Sequence, residues 1–160
     1  MVHVFPSLDN YGTAMMGLVT LRRLQQEIGE PIAADCDFFA DTDLGEVQDE
    51  LGAGPGTIRL ARRPPPRGEQ PWRWRGRAKM VAKMLREGPI RGYDLVIFLG
   101  GDDLSEYYNP HIWLEMLRLR QWGGAAPLVL LGQTIGPFER TANRAMVNLT
   151  FPAFHIFPRD

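Results

Sequence analysis

The chain has 160 residues, 44% hydrophobic and 23% charged, and a formal net charge of −1. Those values describe an ordinary globular chain of one domain or slightly more, long enough for a core, with no global attraction to nucleic acid. Cys36 is the only cysteine, which excludes an internal disulfide and fits a reducing compartment.

No basic stretch followed by an apolar one opens the chain, and no apolar run approaches the roughly 18 residues of a membrane span. The expected location is the cytoplasm, including the inner face of the membrane. Charge is unevenly distributed: residues 27–50 hold nine acids and no Lys or Arg. Residues 59–91 hold eleven bases against Glu69 and Glu87.

In chain order, Val2–Phe5 reads as a first strand and breaks at Pro6-Ser7. Leu8 to Thr13 is rich in turn formers, and Thr13 is placed to N-cap a helix. Ala14, Leu18, Leu21, Leu24 and Ile28 recur at helical spacing, and Gly29 is a fitting stop. The loop brings Asn10 and Gly12 to a helix N-terminus, where free backbone N–H groups favour an anion. It lacks both G-x-G-x-x-G and G-K-[ST], so it does not indicate a dinucleotide or a P-loop nucleotide. The plainer reading is a capped helix with Gly12 easing a turn.

Ile32–Phe39 reads as a second strand, Leu44–Leu51 as a short helix and Thr57–Ala61 as a third strand. Residues 62–76 are irregular, because three consecutive prolines forbid a helix. Ala78, Val81, Ala82 and Leu85 then mark the apolar face of a helix whose other face carries Arg77, Lys79, Lys83 and Arg86. Three readings fit this basic segment, which includes Trp72 and Trp74. It is a solvated helix facing the acidic 27–50 region, a membrane-contact surface over Trp72–Arg91, or a nucleic-acid groove. No RNA or DNA module accompanies it, so no nucleic-acid partner is expected.

The stretch Asp94–Glu106, DLVIFLGGDDLSE, organises the rest. Leu95–Leu99 is an unbroken apolar run, the pattern of a strand buried on both faces. It ends in Gly100-Gly101, followed by Asp102, Asp103 and Glu106. Glycine and acid at the C-terminal end of such a strand form either a ligand site or a strand-to-helix turn with an acidic N-cap. A helix over His111–Trp122, a strand over Leu128–Leu131, a glycine loop over Gly132–Pro137, a helix over Glu139–Leu149 and a strand at His155–Phe157 complete the chain. Alternating strands and helices predict an α/β fold with a doubly wound, Rossmann-like parallel sheet over residues 1–160. Residues 9–13, 100–106 and 132–137 would then share one edge of it.

Three separated pieces carry a family resemblance. They are Asn10-Tyr11-Gly12-Thr13 before a helix, Tyr93 to Asp102 as an apolar strand ending in glycines, and Gly132-Gln133-Thr134-Ile135-Gly136-Pro137-Phe138. With Pro158-Arg159-Asp160 at the end, the chain resembles the N-terminal half of the polysaccharide pyruvyl transferase family. Thr13 and Asp102 depart from the family's Asp and Gly at those places. The resemblance implies one half of a GT-B-type two-domain enzyme, the family's C-terminal domain being absent from this chain. It implies transfer of the enolpyruvyl group of phosphoenolpyruvate onto a sugar of a polysaccharide or glycolipid, with no cofactor beyond that donor.

On that basis Asp102 and Asp103 are candidate bases or sugar-binding acids. Asn10, Tyr11, Gly12, Thr13, Gly100, Gly101, Glu106, Gln133, Thr134 and Gly136 are candidate substrate contacts. The alternatives are a nucleotide-sugar glycosyltransferase of the same architecture and a non-catalytic domain that binds a partner, including a homo-oligomer. His3, His111 and His155 lack metal-ligand spacing, so no metal is expected.

Overall fold

The computed structural model describes residues 2–5, 11–38, 44–52, 58–62, 74–88, 91–124 and 126–159. The fold is α/β, and the chain divides into two compact units, Met1–Pro65 and Pro66–Asp160. The division falls inside the proline- and arginine-rich segment.

The first unit runs β1 (Val2–Phe5), α1 (Tyr11–Ile28), β2 (Ile32–Phe38), α2 (Leu44–Glu50) and β3 (Ile58–Arg62). Its strands are parallel, with β2 pairing to β1 on one side and to β3 on the other. The helical spacing of α1 is used as expected: Ala14, Leu18 and Leu21 are buried. Ile28, the last residue of the helix, is 53% exposed. Gly29 ends the helix at φ 71°, and its N–H donates to the Gln25 carbonyl at 2.9 Å, a glycine C-terminal stop. Arg22, exposed on the polar face of α1, donates from Nε to the Leu51 carbonyl at 3.1 Å and from Nη2 to the Glu50 carbonyl. A cation thereby satisfies the open carbonyls at the end of α2.

The second unit runs α3 (Trp74–Glu87), β4 (Val96–Leu104), α4 (Ile112–Trp122), β5 (Leu128–Ile135), α5 (Thr141–Thr150) and β6 (His155–Pro158). Strand β5 pairs in parallel with both β4 and β6. Parallel neighbours need long crossovers, and α4 and α5 supply them. The apolar run of β4 is buried throughout, Val96 to Leu99 being at most 4% exposed. Leu128 and Leu130 of β5 and Ile112, Met116 and Leu119 of α4 complete that core.

Several expectations are corrected. Helix α1 begins at Tyr11, so Thr13 lies inside its first turn and is not an N-cap. Strands β4 and β5 do not stop at their glycines: β4 continues to Leu104 and β5 to Ile135. Asp102 is therefore a strand residue, not the N-cap of a helix, and α4 starts only at Ile112.

Helix α3 is rotated from the orientation that its apolar pattern implies. Among its described side chains Met84 is buried and Val81 half-buried, while Ala78, Ala82 and Leu85 face solvent, Leu85 at 79% exposure. The contact with α4 explains the rotation. Gln121 Nε2 donates to the Met84 carbonyl at 2.7 Å and also to that of Gly88, satisfying carbonyls at the helix end.

Candidate functional site

Two irregularities shape the C-terminal ends of β4, β5 and β6. Gly101 pairs with Gln133 and Leu104 with Ile135, so β4 spends one residue more than β5 around Asp102-Asp103. Leu131 pairs with Phe157 and Gln133 with Pro158, so β5 spends one residue more than β6, at Gly132. Gly132 has φ 68°, a conformation that suits glycine. Bulges of this kind bend a strand and re-aim its side chains. The Asp102 carbonyl accepts from the Ser105 N–H at 3.0 Å, and the Leu104 carbonyl from that of Gly136 at 3.0 Å.

The re-aimed side chains form a cluster. Arg159 Nη2 donates to Asp102 Oδ1 at 3.3 Å and to Thr134 Oγ1. The Arg159 backbone N–H donates to the Gln133 carbonyl at 3.1 Å, fixing the arginine just beyond β6. The ion pair is open to water, its side chains being 49% and 38% exposed. Such a pair contributes only about 0–1 kcal/mol to stability, so a ligand can share or replace it at small cost.

Gln133 lies beside the cluster and is fully buried. Its Nε2 donates to the Leu99 carbonyl, while Oε1 has no hydrogen-bonding partner among the described residues. A buried acceptor in that state is an unmet demand of about 1–3 kcal/mol.

Glu106, a candidate substrate contact, is partly buried and its carboxylate is already engaged. Oε1 accepts from Asn143 Nδ2 at 2.7 Å and from the Arg140 N–H at 3.1 Å. Partial loss of water around it raises the carboxyl pKa. The bonds from Asn143 and from the Arg140 and Glu139 N–H groups, with the Arg140 charge, outweigh that and hold it below 4.5. Glu106 thus anchors the start of α5, where negative charge is favoured.

The other expected residues fall in several elements. Gly100 and Gly101 are strand backbone at the approach to the cluster. Gly136 is buried beyond β5 at φ 86° and precedes a cis Pro137. The side chain of Asp103 lies outside what is described, as does Asn10 altogether. Tyr11, Gly12 and Thr13 open α1 in the first unit, and Gly12 is exposed.

Arg159 was noted only as part of a terminal motif, yet it joins Asp102 to Thr134. Asn143 was not anticipated either. It is fully buried, and its signal was faint: it shares an i, i+4, i+7 stripe with Val147 and Thr150, all three buried.

The cluster offers a carboxylate that can accept a hydroxyl proton, a hydroxyl, and a guanidinium that matches an oxyanion. Among the described residues no three His, Cys, Asp or Glu side chains come together as a metal site. Among the described residues no helix is long and apolar enough to cross a membrane. Compared with known proteins, the chain matches no family model, no curated protein and no solved structure.

Proposed function

We propose that this chain is part of a pyruvyl transferase that converts phosphoenolpyruvate and a sugar to a pyruvate ketal and phosphate. The observation that carries the reading is the meeting of Asp102, Thr134 and Arg159 beyond β4, β5 and β6. The C-terminal edge of a parallel sheet is where α/β enzymes bind ligands. On this reading the fold is Rossmann-like and forms half of a GT-B-type pair.

The reaction needs two sugar hydroxyls. One adds to C2 of the enol phosphate while a proton goes to C3, making a methyl group. The second then takes the place of phosphate at C2. Of the two hydroxyl protons, one balances the new methyl group and the other leaves with phosphate. Asp102 takes a hydroxyl proton as general base. Arg159 orients that carboxylate and faces the negative charge of the donor, and Thr134 Oγ1 bonds a sugar oxygen. Tyr107 and Tyr108, 80% and 72% exposed in the turn after β4, offer broad ring faces to the acceptor.

Phosphate release from phosphoenolpyruvate over a panel of oligosaccharide and glycolipid acceptors tests this, with the ketal methyl signal as product. Asp102→Asn is expected to lower the rate by about 10²–10⁴-fold. Tyr107→Ala with Tyr108→Ala is expected to raise the acceptor KM with kcat and folding retained. Consumption of a nucleotide sugar with phosphoenolpyruvate untouched would assign the cluster to glycosyl transfer instead.

A further inference from the structure

Helix α3 presents two chemically different strips to solvent. Ala78, Ala82 and Leu85 follow one another at i, i+4 and i+7, and all three are exposed. Leu85 keeps 79% of its surface in water, second only to Tyr107 among the large apolar side chains of the described residues. Lys79 and Arg86, also exposed, run beside that strip one helical step away.

The inward side is accounted for by Met84 and by the bonds from Gln121 of α4 to the Met84 and Gly88 carbonyls. The outward side therefore has no role in the core of its own unit. The helix sequence holds five bases against the single acid Glu87. At 14 residues it is about 21 Å long, enough to lie along a surface and too short to span a bilayer.

We propose that α3 docks this face on an anionic lipid bilayer, lying in the plane of the headgroups. Charge complementarity selects that occupant. A row of bases flanking an apolar strip is the pattern of an interfacial helix: the bases meet lipid phosphates while Leu85 enters the acyl boundary. A nucleic acid would use the bases and leave Leu85 idle. The inference is independent of the pyruvyl-transfer reading, and its test measures no turnover.

The experiment is co-flotation of the full chain with phosphatidylcholine vesicles, with and without phosphatidylglycerol. Binding is expected only to the anionic vesicles, and it should weaken as salt is raised. Lys79→Gln and Arg86→Gln are each expected to weaken partitioning about fivefold. Leu85→Ala is expected to weaken it roughly tenfold by withdrawing apolar groups from the acyl boundary. All three sites are exposed, so circular dichroism of the variants should match that of the parent. Equal binding to neutral vesicles, absence of binding, or indifference to Leu85→Ala would overturn the proposal. So would self-association that these substitutions abolish without any vesicle binding, which would assign the face to a second copy.

Discussion

Asn143 uses both ends of its buried amide. Nδ2 donates to Glu106 Oε1 at 2.7 Å, and Oδ1 accepts from the Trp113 N–H at 3.0 Å in the first turn of α4. One side chain so ties the start of α5, the turn after β4 and the start of α4. Asn143→Ala is expected to destabilise the protein by about 1–3 kcal/mol, measured by urea unfolding, because it strands buried partners.

Glu106 gives that network a pH dependence. Its folded pKa lies below the ordinary 4.5, so its contribution is fully present above 4.5 and is lost as pH falls through the folded value. Glu106→Gln should therefore flatten the acid limb of the stability curve below about pH 4.5, while leaving the neutral-pH limb parallel to wild type. Gln133→Met is expected to change stability by less than about 1 kcal/mol, since the lost bond to Leu99 is offset by removing an unpaired acceptor. A large loss of stability from that change would mean that Oε1 is satisfied within the protein. None of these roles could be read from the chain, because the partners of Asn143 lie 30 and 37 positions away.

At the scale of elements, local pattern located most strands and helices to within a residue or two. The apolar run through Leu99 and the stripe of Ala14, Leu18 and Leu21 are used as their periodicity implies. Strand ends were misjudged where Gly100-Gly101 and Gly132 look like stops. Glycine weakens a lone strand, but ladder bonds to a parallel neighbour carry the pairing across it, and a bulge absorbs the extra residue. Helix α3 was turned wrongly because two alternative stripes, Ala78/Ala82/Leu85 and Met80/Met84, are both apolar. Tertiary bonds from Gln121 chose the second. Thermal or urea unfolding can check that orientation. Leu130→Ala, at 0% exposure, is expected to cost about 2–5 kcal/mol. Leu85→Ala is expected to stay within about 0.5 kcal/mol of wild type.

For the whole molecule, alternation of strand and helix was enough to indicate an α/β fold with parallel strands, and each unit has three of them among the described residues. The expected gathering of three turns is met for two of them, through Gly101 pairing with Gln133. Asn10 lies outside the described residues. Arg159 could not be given a role from sequence because its value depends on where β6 ends beside Thr134, a relation of register. The proposed function requires the Asp102–Thr134–Arg159 cluster to bind phosphoenolpyruvate and its sugar acceptor. Backbone amide NMR of the isotope-labelled chain, titrated with phosphoenolpyruvate, tests it most directly. Shift changes are expected to concentrate at residues 101–104, 132–136 and 158–159, and to be largely lost in Arg159→Gln. Changes clustered elsewhere, or produced by a nucleotide sugar but not by phosphoenolpyruvate, would contradict it.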